Sequence, residues 1–157
     1  MTREEKFMQE AIELSEKGMR NNEGGPFGCV IVKDDKIIGR GNNQVSITND
    51  PTAHAELVAI RQACNTLGTF LLEGCEVFTS CEPCPMCLGA IYWARADKIY
   101  YANNRKDAAQ AGFDDSMIYQ EINSDLEDRK IPMINLGREV AQKVFTEWSE
   151  KKDKTIY

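Results

Sequence analysis

The chain has 157 residues and a formal net charge of −6, from 25 acidic and 19 basic side chains. That length suits one domain with a proper core, and no run approaches the roughly 18 apolar residues of a membrane span. The acidic excess argues against a nucleic-acid partner, because phosphate binding needs clustered Lys and Arg.

The start, Thr2-Arg3-Glu4-Glu5-Lys6, is charged and mixed in sign, unlike a secretory signal, so a cytoplasmic protein is expected. Residues 3–20 place Phe7, Met8, Ala11, Ile12, Leu14 and Met19 at helical spacing, which predicts an amphipathic helix. Asn21 to Gly25 break it. Residues 27–33 read as a buried strand, Asp34-Asp35-Lys36 as a turn, and residues 36–42 as a second, antiparallel strand. Gly24, Gly25 and Gly28 around Pro26 allow close backbone approach. Phe27 there reads first as a core side chain and second as a platform for a planar base. Asn42-Asn43-Gln44 are ordinary turn residues whose amides can also read a heterocycle's edge.

Residues 53–67 predict a helix buried through Leu57, Val58, Ile60, Ala63, Cys64 and Leu67. Gly74 precedes a short strand at 75–80. Residues 85–94 predict a helix apolar almost all round and therefore buried. Another strand is expected at 98–102. Residues 105–122 are mixed and helical in parts, interrupted by Gly112-Phe113-Asp114-Asp115. A short apolar stretch, 133–136, follows Pro132. The last amphipathic helix covers about 138–152, with Val140, Val144, Phe145 and Trp148 on one side, and the Lys-rich tail ends on Ile156-Tyr157. Strands alternate with helices, which argues for a layered α/β domain.

Two stretches carry chemistry. Pro51-Thr52-Ala53-His54-Ala55-Glu56 contains the only histidine and a carboxylate two residues on. Cys81-Glu82-Pro83-Cys84-Pro85-Met86-Cys87 contains two thiols three residues apart after a proline. Together they match the His-x-Glu and Pro-Cys-x-x-Cys signature of zinc deaminases. One imidazole and two thiolates suit a tetrahedral zinc whose fourth position stays open for water. Zinc lowers that water's pKa from 15.7 toward about 7, and Glu56 is placed to carry the protons. Cys84 and Cys87, at i and i+3, share a helix face, and Pro85 suits the first helical position. His54 and Glu56 can serve one metal only near a helix start. A closed Cys₃His site with Cys81 is the structural alternative; Pro83 breaks the helix it would need, and it leaves Glu56 without a role. Cys29, Cys64 and Cys75 read as small core residues.

The chain resembles the cytidine deaminase superfamily throughout, and more narrowly the small bacterial guanine deaminases. The resemblance is carried by Gly24-Gly25-Pro26-Phe27-Gly28, by residues 49–56, by residues 79–95 (TSCEPCPMCLGAIYWAR), by Ala111-Gly112-Phe113-Asp114-Asp115 and by the tail ending in Tyr157. It implies a three-layer α-β-α fold with a five-stranded mixed sheet between helices. It implies hydrolysis of guanine to xanthine and ammonia by zinc-bound hydroxide. His54, Cys84 and Cys87 would hold Zn²⁺, with Glu56 as proton shuttle and the Cys84 backbone N–H on the reacting oxygen. Phe27 and Trp93 would sandwich the purine, Asn43 and Ala55 would contact it, Asp115 would accept from its ring or amine donors, and Tyr157 would close the pocket. The resemblance also implies a homodimer in which a C-terminal segment of the single domain, about 123–157, crosses to the partner. The partner molecule is then a small purine, with no nucleic acid and no membrane. Guanosine or another small base is the nearest alternative substrate; a tRNA adenosine is opposed by the acidic charge and by the Gly-Phe-Asp-Asp stretch.

Overall fold

The computed structural model describes all 157 residues, which form two compact units, Met1–Asp115 and Ser116–Tyr157. In the first unit the strands β1 (Gly28–Lys33), β2 (Lys36–Asn42), β3 (Cys75–Cys81) and β4 (Lys98–Asn103) make one sheet in the order β2-β1-β3-β4. β1 is antiparallel to β2 and β3, and β3 is parallel to β4. The β1–β2 hairpin turns on Asp34 and Asp35, both in the left-handed region; Asp tolerates that conformation better than most residues. The helices are α1 (Arg3–Arg20), α2 (Val45–Thr48), α3 (Ala55–Leu67), α4 (Pro85–Ala94) and α5 (Arg105–Gln110).

Side chains alternate across the sheet, as a strand's period of two requires. Cys29, Ile31 and Val77 join Ala55, Ala59 and Ala63 of α3 and Ile91 and Ala94 of α4 in one core. Val30, Val32 and Phe78 join Ala11 of α1 in the other, with Phe7, Met8 and Leu14 packed against it. The expected α-β-α layering is therefore present. α1 begins in a capping box between Thr2 and Glu5, which satisfies two backbone donors at once.

The helices lie close to the sheet because the strands offer glycine. A Cβ on Gly41 would come within 2.1 Å of the Ala55 carbonyl oxygen, and one on Gly28 within 2.0 Å of that of Ala11. This corrects the expected buried face of α3. Ala55, Glu56, Ala59 and Ala63 are the buried residues, while Leu57, Val58 and Ile60 are half-buried. Spacing shows a helix to be amphipathic; the glycine-lined strand decides that its smallest residues go deepest.

Two further expectations change, the strand count and the burial of α4. The sheet has four strands, not five. The apolar stretch at 133–136 has no regular structure, and Ile134 and Leu136 are 86% and 92% exposed; without a neighbouring strand its backbone has no ladder to join. α4 is not buried all round either: Cys87, Ile91 and Ala94 are buried, but Tyr92 and Trp93 are 74% and 70% exposed. The second unit contains α6 (Ser116–Asn123), a 3₁₀ turn (Leu126–Asp128) and α7 (Arg138–Glu150), none with a buried residue. No helix is long and apolar enough to cross a membrane.

Candidate metal and catalytic site

The site is built at two helix starts. His54 is the N-cap of α3, in extended geometry at φ −69° and ψ 155°, which puts Glu56 in the first turn. Cys84 is the N-cap of α4, at φ −65° and ψ 166°, and Pro85 occupies the first turn, where its missing N–H costs nothing. The His54 side chain makes no capping bond to its own helix, so the imidazole is available elsewhere. Cys87 follows one turn into α4.

These residues converge. His54 Nδ1 lies 3.5 Å from Cys84 Sγ and 3.5 Å from Cys87 Sγ. The three donor atoms are all within 4.8 Å of one another. A tetrahedral zinc with Zn–S near 2.3 Å and Zn–N near 2.05 Å needs an N···S separation of about 3.6 Å. The donor set therefore fits zinc in both chemistry and spacing. Cys87 is buried, whereas His54 and Cys84 are half-buried, so the cluster has an open side.

The thiols divide their protons unequally. A hydrogen bond from Cys87, helped by His54 and opposed by burial, holds Cys84 down at about 4. Cys87 is pushed far up by the same bond and by burial. The Cys84 thiol raises His54. Within the pair the charge is favoured on Cys84 over Cys87, and a bound metal would take the place of the cluster's protons. Cys81 stays outside: its thiol is 3.8 Å from the Asn104 carbonyl oxygen, and burial pushes it up to about 11.

Glu56 is 6% exposed. Burial raises its carboxyl, partly offset by its own N–H, the Thr79 hydroxyl and the Cys87 thiol. Thr79 Oγ1 donates to Glu56 Oε1 at 3.0 Å. Spacing alone did not single out Thr79, because threonine is a common strand residue and its partner lies on another element.

Phe27 and Asn43 share one corner. The Asn43 N–H donates to the Phe27 carbonyl at 3.0 Å. Asn43 Oδ1 accepts from the N–H groups of Gly25 and Val45, at 3.2 and 3.1 Å. The amide is thereby oriented, with Nδ2 as the end not used by the backbone. The Gln44 N–H donates to the Ala53 carbonyl at 2.9 Å, tying this corner to the loop before His54. The Gly28 N–H donates to Ser80 Oγ at 3.0 Å, fixing the strand start beside Phe27. The Phe113 ring meets Phe27 edge-on, centroids 4.9 Å apart at 87°. Phe113 was visible in the sequence only as part of a turn-like run.

Ala55 is fully buried at the start of α3. Asp115 is half-buried; its carboxyl is raised first by burial and also by the Cys84 thiolate, which puts it electrostatically within reach of the cluster. Trp93 lies on the C-terminal half of α4 and is 70% exposed. Eight residues of α4 separate it from Pro85, about 12 Å along the axis at 1.5 Å per residue. Tyr157 belongs to the second unit and is 67% exposed.

Residues 1–103 match the zinc-binding region of the cytidine and deoxycytidylate deaminases. The chain is 50% identical to guanine deaminase of Bacillus subtilis, over 98% of each. The X-ray structure of the Bacillus subtilis guanine deaminase matches with a TM-score of 0.95 over 98% of both chains. A solved guanine deaminase from Nitrosomonas europaea is 33% identical, with a TM-score of 0.66 over 69% of this chain and 63% of that one. A tRNA-specific adenosine deaminase of Aquifex aeolicus is 40% identical over 62% of this chain and 64% of that protein.

Proposed function

Since the chain belongs to the cytidine and deoxycytidylate deaminase family, we propose that it hydrolyses guanine to xanthine and ammonia in the cytoplasm. One observation carries this reading: His54 Nδ1, Cys84 Sγ and Cys87 Sγ converge within 4.8 Å at two helix N-termini, beside the buried carboxyl of Glu56. His54, Cys84 and Cys87 hold zinc, which when bound is a Lewis acid that brings the pKa of a coordinated water toward about 7. Glu56 would take a proton from the attacking water and give it to the purine ring, then take the proton of the added hydroxyl and give it to the departing amine. A carboxyl raised by burial suits this exchange, because it holds a proton more readily than a free glutamate does. The oxygen enters the purine as the new carbonyl, and the amine leaves as ammonia.

Guanine presents ring N–H and amine donors beside a carbonyl. Asp115 accepts from the donors, Asn43 Nδ2 donates to the purine's other edge, and the Phe27 ring, braced by Phe113, covers one face. Ala55 lines the floor. Trp93, at the far end of α4, fits the stacking role in a neighbouring copy's site better than in its own. Homodimer formation with exchange of the segment that includes residues 123–157 would supply Tyr157 as a cover. The exposure of the adjacent Tyr92 and Trp93, at 74% and 70%, supports such a partner, because neighbouring large apolar side chains left in water are typical of contact surfaces.

The test is ammonia release from guanine, guanosine, cytosine, adenine and tRNA, each with zinc-loaded protein. Guanine should dominate. Preference for guanosine would retain the chemistry and change the substrate, and preference for tRNA would follow the second group of relatives instead.

A further inference from the structure

β3 lies between two neighbours. Thr79 pairs with Cys29 of β1 and with Tyr101 of β4, so ladder bonds on both sides fix its backbone. It is 1% exposed, and the Glu56 it touches is 6% exposed. A carboxylate turns easily about its last torsion, which is broad rather than staggered. The Thr79 hydroxyl, 3.0 Å from Oε1, removes that freedom.

The other donors to this carboxylate are the Glu56 N–H and the Cys87 thiol. A metal ligand must give up its thiol proton, so Cys87 ceases to donate once metal is held. Thr79 then remains as the side-chain donor. We propose that Thr79 is a positioning residue for Glu56: it holds Oε1 against the central strand and leaves Oε2 as the oxygen that exchanges protons with substrate. Thr79 itself touches no reacting atom. The proposal rests on the reading of Glu56 as proton carrier.

The experiment compares Thr79→Val, which keeps the branched shape and removes the hydroxyl, with Thr79→Ser, which keeps the hydroxyl. In the zinc-loaded Val variant, kcat for guanine should fall at least about tenfold, a part of the roughly 10²–10⁴-fold that a placed proton carrier supplies. KM and zinc content should stay near the wild-type values, and the Ser variant should recover kcat. Adding Thr79→Val to Glu56→Gln should lower the residual rate no further, since the two act as one unit. A Val variant with wild-type kcat overturns the proposal. So does a Ser variant as slow as Val, a Val variant that fails to fold or to hold zinc, or a further loss in the double variant. If Glu56→Gln alone keeps wild-type turnover, the reading of Glu56 fails first, and that outcome is distinct from the others.

Discussion

Asn43 separates two jobs that one side chain performs. Its Oδ1 accepts two backbone N–H groups, from Gly25 and Val45, and the residue is 6% exposed. Asn43→Ala removes that acceptor and leaves both N–H groups unpaired. They are half-buried, so a cost of about 1 kcal/mol each is reasonable, or about 2 kcal/mol together. For a chain of this size that lowers the thermal midpoint by about 4–8 °C. Asn43→Asp keeps an oxygen at the Oδ1 position and replaces Nδ2 by a second acceptor. It should melt near the wild-type temperature and, if Nδ2 faces the purine as proposed, still lose at least about tenfold in kcat/KM for guanine, because a donor there becomes an acceptor. Thermal unfolding by circular dichroism and steady-state kinetics read the two effects separately. An Asp variant that melts as low as the Ala variant, or that turns over guanine normally, would refute the division of labour.

Zinc analysis of Cys81→Ser should show the metal retained, while Cys84→Ser and His54→Ala should lose it, because Cys81 lies outside the donor cluster. Zinc loading should release protons, read with a pH indicator, because the Cys87 thiol is held well up and must lose its proton to bind metal; loading without proton release would contradict a thiolate donor set. His54 is raised, so its proton competes with zinc to a higher pH than a free imidazole's would, and affinity should fall as pH drops through that range. Deleting Ile156 and Tyr157 should leave zinc content and thermal midpoint near wild type yet lower kcat/KM for guanine at least about tenfold, about 1.4 kcal/mol; unchanged kinetics would make the tail dispensable.

The metal centre was legible because its spacing is a statement about helix starts. His-x-Glu and Pro-Cys-x-x-Cys place both stretches at helix starts; the structure puts one cap at Cys84, just before Pro85, and the other at His54, where the helix was expected to begin at residue 53. The four strands were legible from alternation and turn residues. What was not legible depends on packing between elements. No periodicity reveals that Ala55, Ala59 and Ala63 go deeper than Leu57, because Gly39 and Gly41 on another strand decide it. Thr79 and Phe113 acquire meaning only from partners far away in sequence, at Glu56 and Phe27. Trp93 could be named from a motif, but its exposure on α4 needed the fold.

The central claim is that a His54, Cys84 and Cys87 metal centre works through Glu56. Xanthine formation by Glu56→Gln, measured at full zinc occupancy against wild type, tests it most directly. Zinc binding should stay intact while turnover falls by about 10²–10⁴-fold or more, because one group serves several proton transfers. Full zinc with turnover within a few-fold of wild type would contradict it.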